Sequence, residues 1–445
     1  MPGNSQQSEG LTATGWGESL LRIVYSFVIY LLAPLFMLFW CWRYLRNEMY
    51  RDRVMQRFGF GYPQLPQGSI WLHAVSVGEV QAAIPLIRRL LREYPARRLV
   101  VSTVTPTGAE RVATLFGDQV DHCYLPYDTP GAIRRFFESI RPDVALIMET
   151  EIWPNLFHQC GQRRITLLLV SARISPKSVR SYRRLLPLIR KTLSHGIFIA
   201  AQTESDMRRF ISVGADPNRT RVTGNIKFDI EPADDLAKQG RELRQQLFGE
   251  RLIWVAASTH TGEEEIVLAA QKRLLEHMPD ALLVIVPRHP NRFPVVEELI
   301  RKRGFSYVKR TDDKPCDSSA QVFLGDTMGE LNVFYAASDI AFVAGSLVPI
   351  GGHNLIEPAV LSLPILTGPH VFNAPDIADL FIDAGAAIVV NDAEELAERV
   401  WQLGADADAR LRAGTRGREI LDTNRGALDK LFEILAPLVG HTTRD

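Results

Sequence analysis

Gly351-Gly352-His353-Asn354-Leu355-Ile356-Glu357-Pro358 decides how the second half of this chain folds. A short apolar run, Asp339 to Ala344, precedes it, and a helix-like segment, Leu355 to Leu361, follows it. Strand, glycine-rich turn and helix in that order make a βα unit. Two glycines let a backbone approach a phosphate closely, and amides opening a helix attract its negative charge. Asn354 and Glu357 are three residues apart, so a helix turns both to one side. A carboxylate there can accept both hydroxyls of a ribose. The other reading is a glycine turn and a capped helix with no ligand.

Three further loops share this character. Ser258-Thr259-His260-Thr261-Gly262-Glu263 comes after the apolar run Leu252 to Ala257 and offers hydroxyls and amides to a phosphate. Pro287-Arg288-His289-Pro290 comes after Ala281 to Val286. Arg288 suits a phosphate because its planar fork pairs with two oxygens at once. Gly325-Asp326-Thr327-Met328-Gly329-Glu330 comes after Gln321 to Leu324 and opens another helix. With Pro364 to Leu366 and Ala387 to Val390, these runs describe strands alternating with helices, hence βαβ units and a parallel sheet.

The same rhythm occupies the first half. Ser69 to Val75, Leu99 to Val104, Val144 to Met148, Thr166 to Val170 and Ile197 to Gln202 read as strands, with helical stretches such as Glu79 to Glu93 between them. Phe228 to Asp235, with one proline and four acids, reads as a linker. The expected fold class is α/β, with two Rossmann-like domains facing a cleft. The expected division is 1–45 as extension and membrane anchor, 46–230 as an acceptor-binding domain and 231–445 as a nucleotide-sugar-binding domain. Amphipathic Ala427 to Leu438 is expected to pack back across the domain junction.

At 445 residues the chain is long enough for two or three domains, and 46% hydrophobic with 23% charged residues excludes a disordered chain. Basic and acidic residues balance at 51 each, so no overall field points to nucleic acid. The four cysteines, at 41, 123, 160 and 316, form no Cys-x-x-Cys pair, which argues against a disulfide framework or structural zinc.

Ile23 to Trp42 is twenty residues without a charge, about the length that crosses a hydrocarbon core. It is longer than the apolar part of a usual signal peptide, and no Ala-x-Ala site succeeds it. Arg43, Arg46, Arg51, Arg53 and Arg57 come next, so the positive-inside rule places the rest of the chain in the cytoplasm. The expectation is a single-pass or monotopic anchor.

In the first half, Ser76-Val77-Gly78-Glu79 opens a helix after a strand. It reads either as a capping box or as a general base, Glu79, beside an open Gly78. Glu149 and Glu151 end the strand Val144 to Met148, where Rossmann-type sheets bind ligands, although such acids are often only solvated. Between Arg173 and Lys191 lie seven basic residues and no acid, with Leu185, Leu186, Leu188 and Ile189 among them. This segment suits an anionic membrane surface or phosphorylated lipid. The alternative is a solvated helix face.

Taken together, SVGEV, METEIWPN, SARIS, TGNIKFD, PRHP, DTMGEL and GGHNLIEPA, in that order, resemble the 3-deoxy-D-manno-octulosonic acid (Kdo) transferases of lipopolysaccharide synthesis. The similarity runs from about residue 20 to 440 and leaves the preceding extension unexplained. It implies a glycosyltransferase-B fold and transfer of Kdo from CMP-Kdo to lipid IVA, the lipid A precursor, on the cytoplasmic side of the cell inner membrane. By resemblance, Glu79 matches the catalytic base, and Glu149 and Lys227 match positions that stabilise the transition state. Pro287, Arg288, Met328, Gly329, Glu330, Asn354, Leu355, Ile356 and Glu357 match the CMP-binding segments.

The resemblance implies an inverting glycosyltransferase, since attack opposite the leaving CMP inverts the anomeric centre, with no cofactor; that no Asp-x-Asp motif falls in a plausible loop agrees with metal-independent chemistry. Its expected partners are CMP-Kdo, lipid IVA and an anionic inner-membrane surface, with no nucleic acid. One alternative is a UDP-sugar-dependent transferase or epimerase of the same fold. A membrane-tethered nucleotide-binding scaffold is the non-catalytic alternative.

Overall fold

A computed structural model describes residues 13–46, 52–194, 196–231 and 235–440. Contacts divide the chain into two units, Met1–Asp229 with Arg425–Asp445, and Ile230–Asn424.

The first unit holds seven strands: β1 Ser69–His73, β2 Leu99–Thr103, β3 Asp121–Tyr124, β4 Pro142–Met148, β5 Thr166–Ala172, β6 Phe198–Ala201 and β7 Thr220–Val222. They form one sheet in the order β3-β2-β1-β4-β5-β6-β7, every pair parallel. Helices cover both faces, which is why β1 is buried along its whole length and β4 along nearly all of it. Trp71, Phe136 and Phe157 fill one face, and Leu72, Val80 and Leu146 the other.

The second unit repeats the plan with β8 Ile253–Thr259, β9 Leu282–Pro287, β10 Tyr307–Lys309, β11 Val322–Leu324, β12 Ile340–Val343, β13 Ile365–Thr367 and β14 Ala387–Val389. Its parallel sheet runs β10-β11-β9-β8-β12-β13-β14. The α/β class and the parallel sheets expected from the sequence are therefore present. Three strands, β3, β7 and β10, escape the sequence reading. Each is an edge strand of three or four residues carrying polar side chains, so no apolar run marks it.

The closing helix, Ala427–Gly440, returns to the first unit in keeping with its amphipathic pattern, and it is the domain division that requires a correction. The sequence division placed it with the second domain, but it belongs to the first unit. Its Leu431, Phe432 and Leu435 are buried beside Val80 and Leu86, and each such side chain contributes about 1.5–3 kcal/mol. Asp229, within the expected linker, accepts the amides of Gly426 at 2.7 Å and Leu428 at 2.6 Å, capping the helix where its dipole favours an anion.

The N-terminal helix spans Ala13–Arg46. Within it Leu20–Phe39 has mean hydropathy 2.0 and is 6% buried, long and apolar enough to cross a membrane.

Candidate active site

In each sheet the strand order reverses beside a central strand, and such switch points hold ligands at the carboxyl ends of the strands. In the first unit the switch lies between β1 and β4. The helix that follows β1 carries Glu79 in its first turn and β4 runs into Glu149, so the topology brings the two carboxylates to one crevice.

Glu79 sits in the first turn of the helix Val77–Glu93. Its Oε2 accepts the Val75 amide at 2.7 Å, while the Ser76 side chain caps nothing. Neither bond of a capping box forms: Ser76 caps no amide, and the glutamate accepts the amide of Val75, one residue before the N-cap. Burial pushes the Glu79 carboxyl up to about 7, reinforced by Glu149 and Glu151 and opposed by the Val75 amide and Lys227. A carboxylate that exchanges its proton near neutrality is suited to general base work.

Glu149 is held differently. Its φ of 53° is left-handed, which costs a non-glycine residue about 1–2 kcal/mol; strain of this kind clusters at functional sites. Lys227 Nζ reaches its Oε1 at 2.9 Å, and Arg173 Nε its Oε2 at 3.1 Å. Burial alone pushes its pKa up, but Lys227 and Arg173 outweigh burial and the net direction is down. Lys227 comes from the short helical turn Ile226–Asp229, which Asn225 starts by accepting the Lys227 amide at 3.0 Å. The resemblance named Glu149 and Lys227 for one role without a contact between them. The fold pairs them, and it adds Arg173 from the SARIS loop. Trp153 packs against the core.

In the second unit the switch lies between β8 and β12, and β11, β9, β8 and β12 are consecutive neighbours. All four loops singled out in the sequence therefore leave one edge of one sheet. Two of them, after β8 and β12, are tied together by Glu263, which is 0% exposed. Its carboxylate accepts the amides of His260 (3.1 Å), Gly345 (2.7 Å), Ser346 (2.9 Å) and Leu347 (2.9 Å). Ser258 and Thr259, expected to offer hydroxyls to a ligand, are instead buried.

Arg288 remains without a side-chain partner among the described residues, and its backbone amide is tied to Thr259 O at 3.0 Å. Three histidine rings accompany it. His260 Nε2 and His353 Nε2 are 2.9 Å apart, their rings stacked at 5.1 Å, and His289 stands edge-on to His260 at 5.5 Å. Such a contact needs one ring to donate and the other to accept, so the pair is not doubly protonated. Burial, then His260, Arg288 and His289, hold His353 down to about 4. His260 is also shifted down, by burial first and then by His289 and Arg288. The sequence reading assigned no role to these histidines, since nothing in their spacing brings together residues 93 positions apart.

The opening stretch forms a turn and a short helix, Ile356–Val360. Asn354 and Glu357 do share a side, with Asn354 Nδ2 donating to Glu357 Oε1 at 3.2 Å. Gly351 and Gly352 have φ of 108° and 76°, and a Cβ on Gly351 would lie 2.5 Å from Asn373 Oδ1. Both glycines are thus required by the turn itself. Glu330 pairs with Arg310 at 3.0 Å and accepts from Thr327, Gly329 has φ of 88°, and Met328 is exposed. Pro287 ends β9, and Leu355 and Ile356 are buried. Among the described residues no group of three or more His, Cys, Asp or Glu is arranged to hold a metal ion.

Comparison with known proteins agrees with these features. The profile of the 3-Deoxy-D-manno-octulosonic-acid transferase (kdotransferase) family matches residues 52–230. The 3-deoxy-D-manno-octulosonic acid transferase of Haemophilus influenzae is 41% identical over 94% of this chain and 98% of its own length. The enzyme of the same name from Bordetella pertussis is 34% identical over 94% of this chain and 100% of its own. The UDP-GlcNAc 2-epimerase of Neisseria meningitidis, solved with UDP-GlcNAc, covers 83% of this chain and 100% of its own with TM-score 0.54 and 16% identity, a likeness of fold alone. Two parallel sheets of the glycosyltransferase-B kind, carrying these loops and this similarity end to end, place the chain in the 3-deoxy-D-manno-octulosonic acid (Kdo) transferase family of glycosyltransferases.

Proposed function

We propose that this Kdo transferase moves Kdo from CMP-Kdo to lipid IVA in one inverting displacement, at an anionic membrane surface to which the N-terminal helix attaches it. The observation that carries this reading is Glu79, whose carboxyl is raised to about 7 beside Glu149. Glu79 takes the proton of the acceptor hydroxyl as its oxygen bonds to the anomeric carbon of Kdo. The bond from that carbon to the phosphate oxygen breaks, and its electron pair leaves with CMP. Attack opposite the leaving group inverts the centre.

The charges of the supporting groups suggest their roles. Arg288, with no competing side-chain partner among the described residues, meets the phosphate, and Asn354 and Glu357 meet the ribose hydroxyls. Pro287, Met328, Gly329, Glu330, Leu355 and Ile356 shape the surrounding loops. Glu149, with Lys227 fixed on one oxygen and Arg173 on the other, presents a set charge pattern to the transition state, and preorganised charge needs no rearrangement during reaction. We assign no divalent cation and no cofactor, because Arg288 takes up the phosphate charge. Incubation with CMP-Kdo and lipid IVA, then product mass spectrometry, tests donor, acceptor and stoichiometry together. A thermal shift with UDP and none with CMP would replace this reading by a UDP-sugar transferase.

A further inference from the structure

The N-terminal helix is bound to the first unit through polar groups along the same stretch that is apolar enough to cross a bilayer. Tyr25 Oη donates to Asp128 Oδ2 at 3.0 Å, and Ser26 Oγ to Asn155 Oδ1 at 3.0 Å. Arg22 Nη1 donates to the same Asn155 oxygen at 3.3 Å, and the Gly131 amide to Tyr30 Oη at 3.2 Å. One helical turn after Ala33, the Phe36 ring stacks on Tyr127 at 4.7 Å. From Arg22 to Phe36 this seam is about 21 Å long at about 1.5 Å per residue. The shielded positions Arg22, Tyr25, Ser26, Ile29, Ala33 and Phe36 keep a 3-and-4 spacing, which makes them one continuous stripe.

Asp128 makes this seam part of the fold and not a loose contact. It is 1% exposed and also accepts the amides of Asn155 at 3.0 Å and Leu156 at 2.8 Å. A helix crossing with Leu20–Phe39 in hydrocarbon would have to carry Asp128, Asn155 and the first turn of the helix Pro154–Arg163 in with it. Otherwise it must strip the Tyr25 and Tyr30 hydroxyls and Arg22 of these partners, Ser26 alone keeping one within the helix, the Arg22 carbonyl at 2.8 Å. Lipid satisfies none of these groups.

The opposite side of the helix is a membrane-facing surface. Ile23, Val24, Phe27, Leu31, Leu35 and Leu38 are all exposed. Met55 and Phe60 are exposed beside the turn whose Phe58 packs on Tyr127, which extends the apolar face. The helix Leu186–Leu193 packs on the N-terminal helix. It continues a segment in which Lys177, Arg180, Arg183, Arg184 and Arg190 are exposed, with no ion pair among the described residues, around the exposed Leu185. Apolar residues flanked by unpaired cations fit the headgroup region of an anionic bilayer.

We infer that the helix Ala13–Arg46 lies along one leaflet, clamped to the first unit through Asp128 and Asn155, and does not cross the bilayer. The N-terminus and the catalytic units then share one side of the membrane. This rests on the membrane attachment proposed above, and the test separates the two. The full chain, with a different protease-cleavable tag at each end, is reconstituted into vesicles containing anionic phospholipid and floated on a density gradient. External protease is then added. The expected result is flotation, with every molecule that loses its C-terminal tag also losing its N-terminal tag. A nitroxide on Leu31→Cys, 67% exposed in the structure, should sit about 5–10 Å below the headgroups, against about 15 Å for a crossing helix. An N-terminal tag that survives when the C-terminal tag is lost, or a label at the bilayer centre, overturns the inference while leaving attachment intact. Failure to float overturns both.

Discussion

Replacing Glu79 by glutamine separates the catalytic and structural demands on one side chain. Its carboxyl is raised from 4.5 to about 7, chiefly by burial. Between those values the folded chain holds a proton that the unfolded chain releases, so stability falls as pH rises through that window and stays low above it. At about 1.4 kcal/mol per pH unit, the charged form costs the fold about 3 kcal/mol at most near pH 8. Glu79→Gln removes this cost, and the amide oxygen still accepts the Val75 N–H now bound at 2.7 Å. The variant should therefore melt several degrees higher than the parent at pH 8 and about equally at pH 5, since about 1 kcal/mol moves Tm by about 2–4 °C in a domain of this size. Without a proton acceptor, kcat for Kdo transfer should fall about 10²–10⁴-fold. The parent's kcat/KM should decline below about pH 7, where Glu79 is protonated. Calorimetry at the two pH values and a radiolabelled transfer assay measure both effects. Undiminished transfer, or a lower Tm at pH 8, would refute the reasoning.

Lys227→Met leaves Glu149 with Arg173 alone, so the Glu149 pKa should rise and kcat should drop about 10²–10³-fold; a pH–rate profile reports both. Arg288→Lys loses the two-point fork, and CMP affinity by calorimetry should weaken about tenfold. Glu263→Gln places an amide donor against backbone amides that need an acceptor, and should lose about 2–4 kcal/mol in chemical denaturation. His353 is held down to about 4, so the free protein loses stability as pH falls from 6.5 toward 4. A bound phosphate opposes that shift, hence CMP affinity should rise between pH 7 and pH 5, and His353→Gln should flatten the rise in titrations at each pH.

The sequence alone determined the α/β class, the four loops on the second sheet and the carboxylates after β1 and β4. Parallel strands buried on both faces must be continuous apolar runs, and the loops leaving their C-terminal ends must lie at the carboxyl edge. The resemblance, carried by motifs such as METEIWPN and GGHNLIEPA, gave the family. Tertiary structure decided the rest. Edge strands such as Thr220–Val222 bury too little to leave a pattern. The closing helix joins the first unit because its apolar face matches that core, which sequence position does not reveal. Glu263 reads as one acid in a run of three, yet its burial and four amide partners make it the tie between the loops after β8 and β12. The pairings of Glu149 with Lys227, of His260 with His353 and of Tyr25 with Asp128 join residues 78, 93 and 103 positions apart. Periodicity reports which face a residue occupies on its own element; only the packed fold decides which distant charge or ring it meets.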